Sequence, residues 1–449
     1  MIELKKQNSS KTRGKIIYIY FLNKYAKMPI NNTLRYKHKV KLEVNYIKDF
    51  CMYITPAIPE SGSIKLDTFL FKKAEEIVMK SAKLTGGHNK QFILAIKDLL
   101  KITNSYYSNL IESEGTHPFD IEKAMKKDFS SEKKKKDLQQ LSLVHIEVQE
   151  YIQHLTTINK DTYLLDTILD MHKEFYSKDE MKYALKIKHD DLEVDMIPGK
   201  LRESFVKVGN HLAPDPKDLS SYFGEFEFFY NQSKFENKTM QLIYALCSHH
   251  RLVYIHPFYD GNGRISRLYL DYILYKIDLE GYGLWNISRG LARNIDKYKE
   301  FLSIADEPYT GSYDDGRGNL SLKALKLFLD FMLDIALDQI NYMSEVLRID
   351  LIANRIRNYV IFSQKNMYKD IEPLPKHSEK IFEHLLIYGE IPRNSVKDVL
   401  GVSKPTAIKI VKELEKREYI TSLKPQGPIS IKFNSHFASE VIPEIFPKV

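Results

Sequence analysis

Cysteine and tryptophan are almost missing from this chain: Cys51, Cys247 and Trp285 are all it has in 449 residues. Two thiols build no disulfide framework, which excludes the small cross-linked secreted class and leads us to expect a reducing, cytoplasmic setting. Long apolar runs are also absent. The stretch Ile16 to Leu22 is too short to cross a bilayer, and no small-residue cleavage site follows it clearly, so no membrane partner is expected. Acidic residues are scarce at one end only. Residues 1–41 hold eleven Lys or Arg against Glu3 alone, a local charge of +10 in a chain of net +8, so the remainder stands at −2. Such a balance leaves the body nearly neutral and assigns the excess to a basic extension over residues 1–41, solvated or, as the alternative, in contact with something acidic. A second basic run, Lys133 to Lys136, reads as an exposed loop. His249, His250 and His256 fit no zinc-ligand spacing, and no cysteine joins them.

Length allows about three domains, and helical periodicity dominates. Apolar residues recur at helical spacing over Leu66–Leu84, Asn89–Asn104, Leu138–Thr156, Thr162–Tyr176, Ser288–Ala305 and Leu320–Arg348. The fold class expected is mainly α. Between the fourth and fifth of these segments, Phe205-Val206-Lys207-Val208 alternates between Gly and Pro boundaries as a β-hairpin does. The reading divides the chain into a helical region at 42–135, a catalytic domain at 136–350, a linker at 351–375 and a small unit at 376–449.

That last unit has its own pattern. Helices are expected at Ser378–Tyr388, Arg393–Leu400 and Lys404–Tyr419, the last two joined by the turn Gly401-Val402-Ser403. Ile420 to Phe433 then forms a hairpin with Pro425-Gln426-Gly427-Pro428 at its tip, which resembles a winged helix-turn-helix. Lys404, Thr406, Lys409 and Lys412 are candidate DNA-phosphate contacts, although eleven basic and seven acidic residues over 376–434 leave only +4. Protein–protein contact or a homodimer is a second use of the same unit.

The chemistry is concentrated in Ile255-His256-Pro257-Phe258-Tyr259-Asp260-Gly261-Asn262-Gly263-Arg264-Ile265-Ser266-Arg267. Gly261 and Gly263 permit positive φ, so successive N–H groups can converge on an anion just where the periodic run from Ile265 starts a helix. Arg264 and Arg267, three apart, offer two guanidinium forks on one face. Asp260 is a hard oxygen ligand of the kind Mg²⁺ uses together with substrate phosphates. His256 is the nearby group suited to general-base work. We read a nucleotide-phosphate site. Nine specified positions recur by chance in such a chain on the order of once in a billion.

The string HPFxDGNGRxxR resembles the signature of the Fic family, enzymes that usually transfer AMP from ATP to a protein hydroxyl. The resemblance spans roughly Ser105 to Leu329. It implies a Fic-type helical bundle with His256 as base, Asp260 as Mg²⁺ ligand, and Gly261, Asn262, Gly263, Arg264 and Arg267 around the phosphates of ATP. A Lys in place of Gly263 would mark the phosphorylating Doc-like relatives, so nucleotidyl transfer is expected. Tyr298 is a candidate adenine contact, with a core aromatic as the alternative. The hairpin at Phe205, Val206, Lys207 and Val208 is similar to the family's flap, which holds a target segment by strand addition. Upstream, Ser108 and Glu112 are similar to the family's inhibitory motif, in which Glu112 would compete with ATP for Arg267; Ser113 stands where the motif has Gly or Asn. The expected function is a protein adenylyltransferase whose target includes, as one option, the protein itself. The alternatives are a DNA-binding regulator with a Fic sensor domain, and a de-AMPylase.

Overall fold

The computed structural model describes residues 64–157, 164–189, 192–231, 237–312, 315, 318–369 and 371–447. The basic extension read over residues 1–41 lies outside them. From the N-terminal side run α1 (Ile64–Lys83), α2 (Lys90–Ile111), α3 (Pro118–Met125), α4 (Lys133–Thr157) and α5 (Leu164–Tyr176). Two hairpins follow, β1 with β2 (Lys186–His189, Leu192–Asp195) and β3 with β4 (Lys207–Val208, His211–Leu212). Next come α6 (Leu219–Tyr230), α7 (Lys238–Ile255), α8 (Asn262–Lys276), α9 (Ile287–Ala292), α10 (Ile295–Ala305) and α11 (Leu322–Val346).

Helix α8 is the axis of this bundle. Its Ile265, Leu268, Leu270, Ile273 and Leu274 are buried, and so are Arg264, Arg267 and Asp271. A helix covered on every side needs neighbours all round. They are α7, α4, α5 and α2, while α1 and α11 pack on the far side of α7. Burying Asp271 pushes its carboxyl up to about 6, against the pull of hydrogen bonds from Tyr282 and from Asn104 on α2.

Beyond α11 stand α12 (Ile349–Gln364), α13 (Ser378–Tyr388), β5 (Glu390–Ile391), α14 (Val396–Leu400), α15 (Lys404–Lys416), β6 (Ile420–Thr421), β7 (Ile429–Ile431) and α16 (Ser435–Val441). The three strands form an antiparallel sheet in the order β5-β7-β6, with Ile391 opposite Ile429 and Ile420 opposite Ile431. This unit lies against α2. Asn89, the N-cap of α2, accepts from Phe92 N at 2.9 Å and donates to the carbonyls of Leu385 and Leu386 at the end of α13. At the other end of α2, the Tyr107 hydroxyl donates to the Ile445 carbonyl at 3.3 Å.

Several sequence expectations are corrected. Residues 351–375 are not a simple linker, because α12 buries Ile352, Ile356, Tyr359 and Val360 and packs on α13 and α16. Lys133–Lys136 are exposed as expected, but they form the first turn of α4 and not a loop. The helix expected over Ser288–Ala305 breaks at Arg293-Asn294 into α9 and α10. The β1/β2 hairpin had no sequence expectation; its strands, KIKH and LEVD, alternate polar and apolar residues but are only four residues each. Among the described residues no helix is long and apolar enough to cross a membrane.

Because Asn89 serves two helix ends at once, Asn89→Ala should cost about 2 kcal/mol, from a lost N-cap and two carbonyls left without their donor. Asn89→Asp keeps the cap but cannot donate, so its urea midpoint should fall between wild type and Asn89→Ala; equal midpoints for all three would refute the double role.

Candidate active site

The segment His256–Arg267 begins where α7 stops. His256 is the C-cap of that helix at φ 48°, ψ 63°, a left-handed conformation that costs a non-glycine residue roughly 1–3 kcal/mol and persists only where its surroundings enforce it. Arg202 is one enforcer. It is 2% exposed, its Nε donates to the His256 carbonyl at 2.7 Å, its backbone N–H to the Pro257 carbonyl at 2.9 Å, and its two NH groups to the carbonyls of Ser204 and Pro214 at 2.9 and 2.6 Å. One guanidinium thus ties the flap segment to the catalytic loop. Arg202 has no place among the sequence expectations, since a buried structural arginine carries no local pattern.

Phe258 anchors the loop from below, stacked on His172 with centroids 3.8 Å apart at 18°. Asn262 closes it: Oδ1 accepts from Phe258 N and Nδ2 donates to the Phe258 carbonyl, both at 2.9 Å. Its side-chain amide is therefore committed to the loop, so the phosphate contact expected of Asn262 falls to its backbone N–H at the start of α8. Gly261 sits at φ 81° as the N-cap of α8, and a Cβ there would meet the Tyr176 hydroxyl at 2.4 Å. No side chain caps the first turn of α8, leaving its N–H groups for an anion.

Both arginines are buried and both are engaged by the end of α2. Arg267, its side chain 3% exposed, donates through Nε to Ser108 Oγ at 2.9 Å, and through NH2 to the Ser108 carbonyl at 2.9 Å and Glu112 Oε1 at 2.8 Å. Arg264 NH1 lies 3.0 Å from Glu114 Oε2, and NH2 3.9 Å from Asp260 Oδ2. Burial pushes the Glu112 carboxyl up, yet Arg267 and Arg264 outweigh it and hold the group below its ordinary value. A Cβ on Gly263 would fall 2.2 Å from Glu112 Oε1, so only glycine admits this carboxylate. The turn after α2 is a Schellman motif: Ser113 N bonds to the Leu110 carbonyl and Glu114 N to the Asn109 carbonyl, each at 2.9 Å, with Ser113 at φ 63°. This left-handed position is where Gly or Asn is usual. Gly115 serves a different need, since a Cβ there would come 3.0 Å from Leu110 Cβ.

His256 is deprotonated far below neutrality. Burial lowers its pKa to about 4, and the neighbouring His211 and Arg202 add to the effect. Tyr298 is 3% exposed with its hydroxyl 2.7 Å from His249 Nε2, so it is a core aromatic behind Arg267; this corrects the adenine-contact expectation. On the flap side, β3 pairs with β4 and Ala213 N extends the pairing to the Val206 carbonyl at 3.1 Å. Phe205, Val208 and Leu212 are largely exposed there. His211 pins β4 to the bundle, with Nδ1 3.1 Å from Asp306 Oδ2 and Nε2 2.9 Å from the Tyr254 carbonyl.

Among the described residues no three His, Cys, Asp or Glu converge on a metal position. Magnesium does not require one. It takes one or two carboxylates beside substrate phosphates and water, and Asp260, with a side chain 43% exposed at the lip of the glycine turn, suits that part.

Residues 163–274 match the Fic/DOC family. The chain is 34% identical over 154 residues to the protein adenylyltransferase Fic of Aedes aegypti, covering 34% of this chain and 26% of that one. With the protein of the same name from Drosophila melanogaster it is 38% identical over 109 residues, 24% of this chain and 21% of the other. The matched region thus spans about a quarter of the length of these curated relatives. Among solved structures, a Fic family protein from Desulfovibrio desulfuricans aligns at TM-score 0.46 and 15% identity over 85% of this chain and 99% of that one. A Fic domain containing signaling protein from Bacteroides thetaiotaomicron aligns at 0.46 and 17%, over 60% and 95%.

The buried histidines generate a pH prediction. His145, His172 and His249 are held neutral by burial, with pKa values lowered to about 3, and Arg267 beside His145 and His249 strengthens the effect. The unfolded chain binds their protons near pH 6.5, so this stability is complete above pH 6.5 and is lost as pH falls towards 3. Each should cost about 2 kcal/mol at pH 5 relative to pH 7. The urea midpoint should drop accordingly, and His145→Gln should flatten the slope; equal midpoints at the two pH values would contradict the assignment.

Proposed function

We propose that this protein transfers AMP from Mg·ATP to a Ser, Thr or Tyr hydroxyl of a protein, itself included, and that Glu112 restrains the reaction. The observation that carries this reading is the folding of HPFxDGNGRxxR into a single site, with a neutral imidazole at its lip, an uncapped helix N-terminus, and two buried guanidinium groups. The Fic/DOC match and the adenylyltransferase names of the relatives support it.

In the reaction, His256 takes the hydroxyl proton as the oxygen attacks the α-phosphorus. The new O–P bond forms, the α–β phosphate bond breaks, and pyrophosphate leaves. The low pKa of His256 keeps it ready as an acceptor at neutral pH. The N–H groups at the start of α8, with Arg264 and Arg267, hold the phosphate oxygens in line. Asp260 would hold Mg²⁺, whose charge offsets that of the triphosphate. The exposed edge of β3 and β4 offers main-chain pairing to a target segment, a largely sequence-blind form of recognition. While Glu112 occupies Arg267, the triphosphate loses that fork and its α-phosphate is misaligned.

A second activity is proposed for residues 376–449. The arrangement of α13, α14, α15 and the three-stranded sheet supports a winged helix-turn-helix. Lys404, Thr406, Lys409 and Lys412 are exposed along α15, and Leu423 near the hairpin tip is 91% exposed. DNA is the partner proposed for this face. A gel shift by the full chain that weakens steeply with salt, and is lost in Lys409→Ala/Lys412→Ala, is the expected result.

Transfer of label from α-labelled ATP tests the main reading. Glu112→Gly should raise self-labelling about ten- to a hundredfold, the worth of one charge-assisted guanidinium pair, and adding Arg267→Ala should erase the gain. His256→Ala should abolish labelling but keep ATP binding. An unchanged or lower rate in Glu112→Gly would remove Glu112 from its inhibitory role, and release of AMP from a pre-modified target by the wild type would favour the de-AMPylase alternative.

Loss of the metal ligand has a separate signature. Asp260→Ala should weaken Mg·ATP binding in calorimetry while leaving metal-free nucleotide binding nearly unchanged; equal Mg·ATP affinity in wild type and variant would exclude Asp260 as the ligand.

A further inference from the structure

We propose that Glu114 is a second clamp of the same site, holding Arg264 as Glu112 holds Arg267, so that one turn after α2 blocks both phosphate-binding guanidinium groups. This rests on the adenylyl-transfer reading given above. The two carboxylates stand two residues apart on either side of Ser113. Its left-handed backbone, at φ 63°, reverses the chain so that both neighbours reach the mouth of α8. Both stand at ion-pair distance: Glu112 Oε1 accepts a hydrogen bond from Arg267 at 2.8 Å, and Glu114 Oε2 lies 3.0 Å from Arg264 NH1 as a buried oxygen with no hydrogen-bond partner of its own. The acidic side chains keep 34% and 39% of their surface exposed although the oxygens that face the site are covered, whereas the arginines are 3% and 8% exposed.

That asymmetry gives the clamp its character. A buried guanidinium requires an anionic partner, while a part-exposed carboxylate can return to water at small cost. The pairing is therefore exchangeable, and a phosphate oxygen is the natural replacement. Arg264 is also incompletely satisfied. Its buried Nε has no hydrogen-bond partner, and its second NH group reaches Asp260 only at 3.9 Å. It retains donors for a ligand that brings more oxygens than one carboxylate. The turn itself does not depend on the Glu114 side chain, because its bonds to Leu110 and Asn109 are made by backbone and Gly115 seats it against Leu110. Removing the carboxylate should release the arginine without unfolding the turn. It follows that freeing Arg267 alone leaves Arg264 paired, and full access needs both carboxylates withdrawn.

Calorimetric titration of the full chain with a non-hydrolysable ATP analogue, and with adenosine, reads this without any transfer step. Glu114→Gln should bind the analogue about three- to tenfold more tightly, as expected for a part-exposed ion pair on a buried arginine. Adenosine, which carries no phosphate, should bind all variants alike. Glu112→Gly/Glu114→Gln should bind the analogue more tightly than either single variant, and Glu114→Asp, with its charge drawn back by one methylene, should fall between wild type and Glu114→Gln. Unchanged or weaker analogue binding in Glu114→Gln, with Glu112→Gly still tightened, would overturn the second clamp and leave the transfer reading intact. Analogue and adenosine binding equally in every variant would overturn both.

Discussion

The buried guanidinium of Arg267 sets the terms for much of this structure. At 3% exposure it has given up its water, and a charge in that position must be met by protein or ligand oxygens. Helix α2 supplies them from Ser108 and Glu112, and the same seam continues one turn along each helix, where Asn104 reaches Asp271. The docking of α2 on α8 is thus fastened by polar groups at the place where phosphate is proposed to enter. The interaction that completes the fold is thus the one that, on the proposed function, a nucleotide would displace.

Around that seam the catalytic loop holds an unfavourable backbone. His256 and Gly261 both occupy left-handed conformations five residues apart, and a loop of this kind stays in place only if other contacts outweigh its strain. Arg202 binds successive carbonyls from the flap side, Asn262 closes the loop on Phe258, and the Phe258 ring lies on His172. Their contacts are made within the protein, and they decide where the imidazole stands relative to the start of α8. Tyr298 plays a comparable part behind Arg267 through its hydrogen bond to His249.

The C-terminal unit is continuous with this arrangement. Asn89 joins the start of α2 to the end of α13, and Tyr107 joins the last turns of α2 to the carbonyl of Ile445. The helix that carries Ser108 and Glu112 is therefore held between the arginines on one side and the C-terminal unit at its ends.

Much of this was legible in the sequence because it is local. Period-3.6 repeats predicted α1, α5 and α11 to within a few residues, α4 without its first turn, and α2 over its first four turns. The spacing of His256, Asp260, the two glycines and the two arginines defined a loop and helix start before any fold was known. Facts settled across the chain were not legible. Nothing near Glu114 announces that its partner is Arg264, 150 residues away, nor does the pattern around Arg202 show that its donors are spent on the carbonyls of the catalytic loop. Asn262 and Tyr298 have residue types that suit a ligand, and only packing showed that their polar groups are already engaged within the protein. The sequence by itself determined which chemical groups stand together along one turn, since spacing fixes that. The tertiary structure alone decided which of them remain open to a ligand, because burial and competition for hydrogen bonds depend on what the rest of the chain brings alongside.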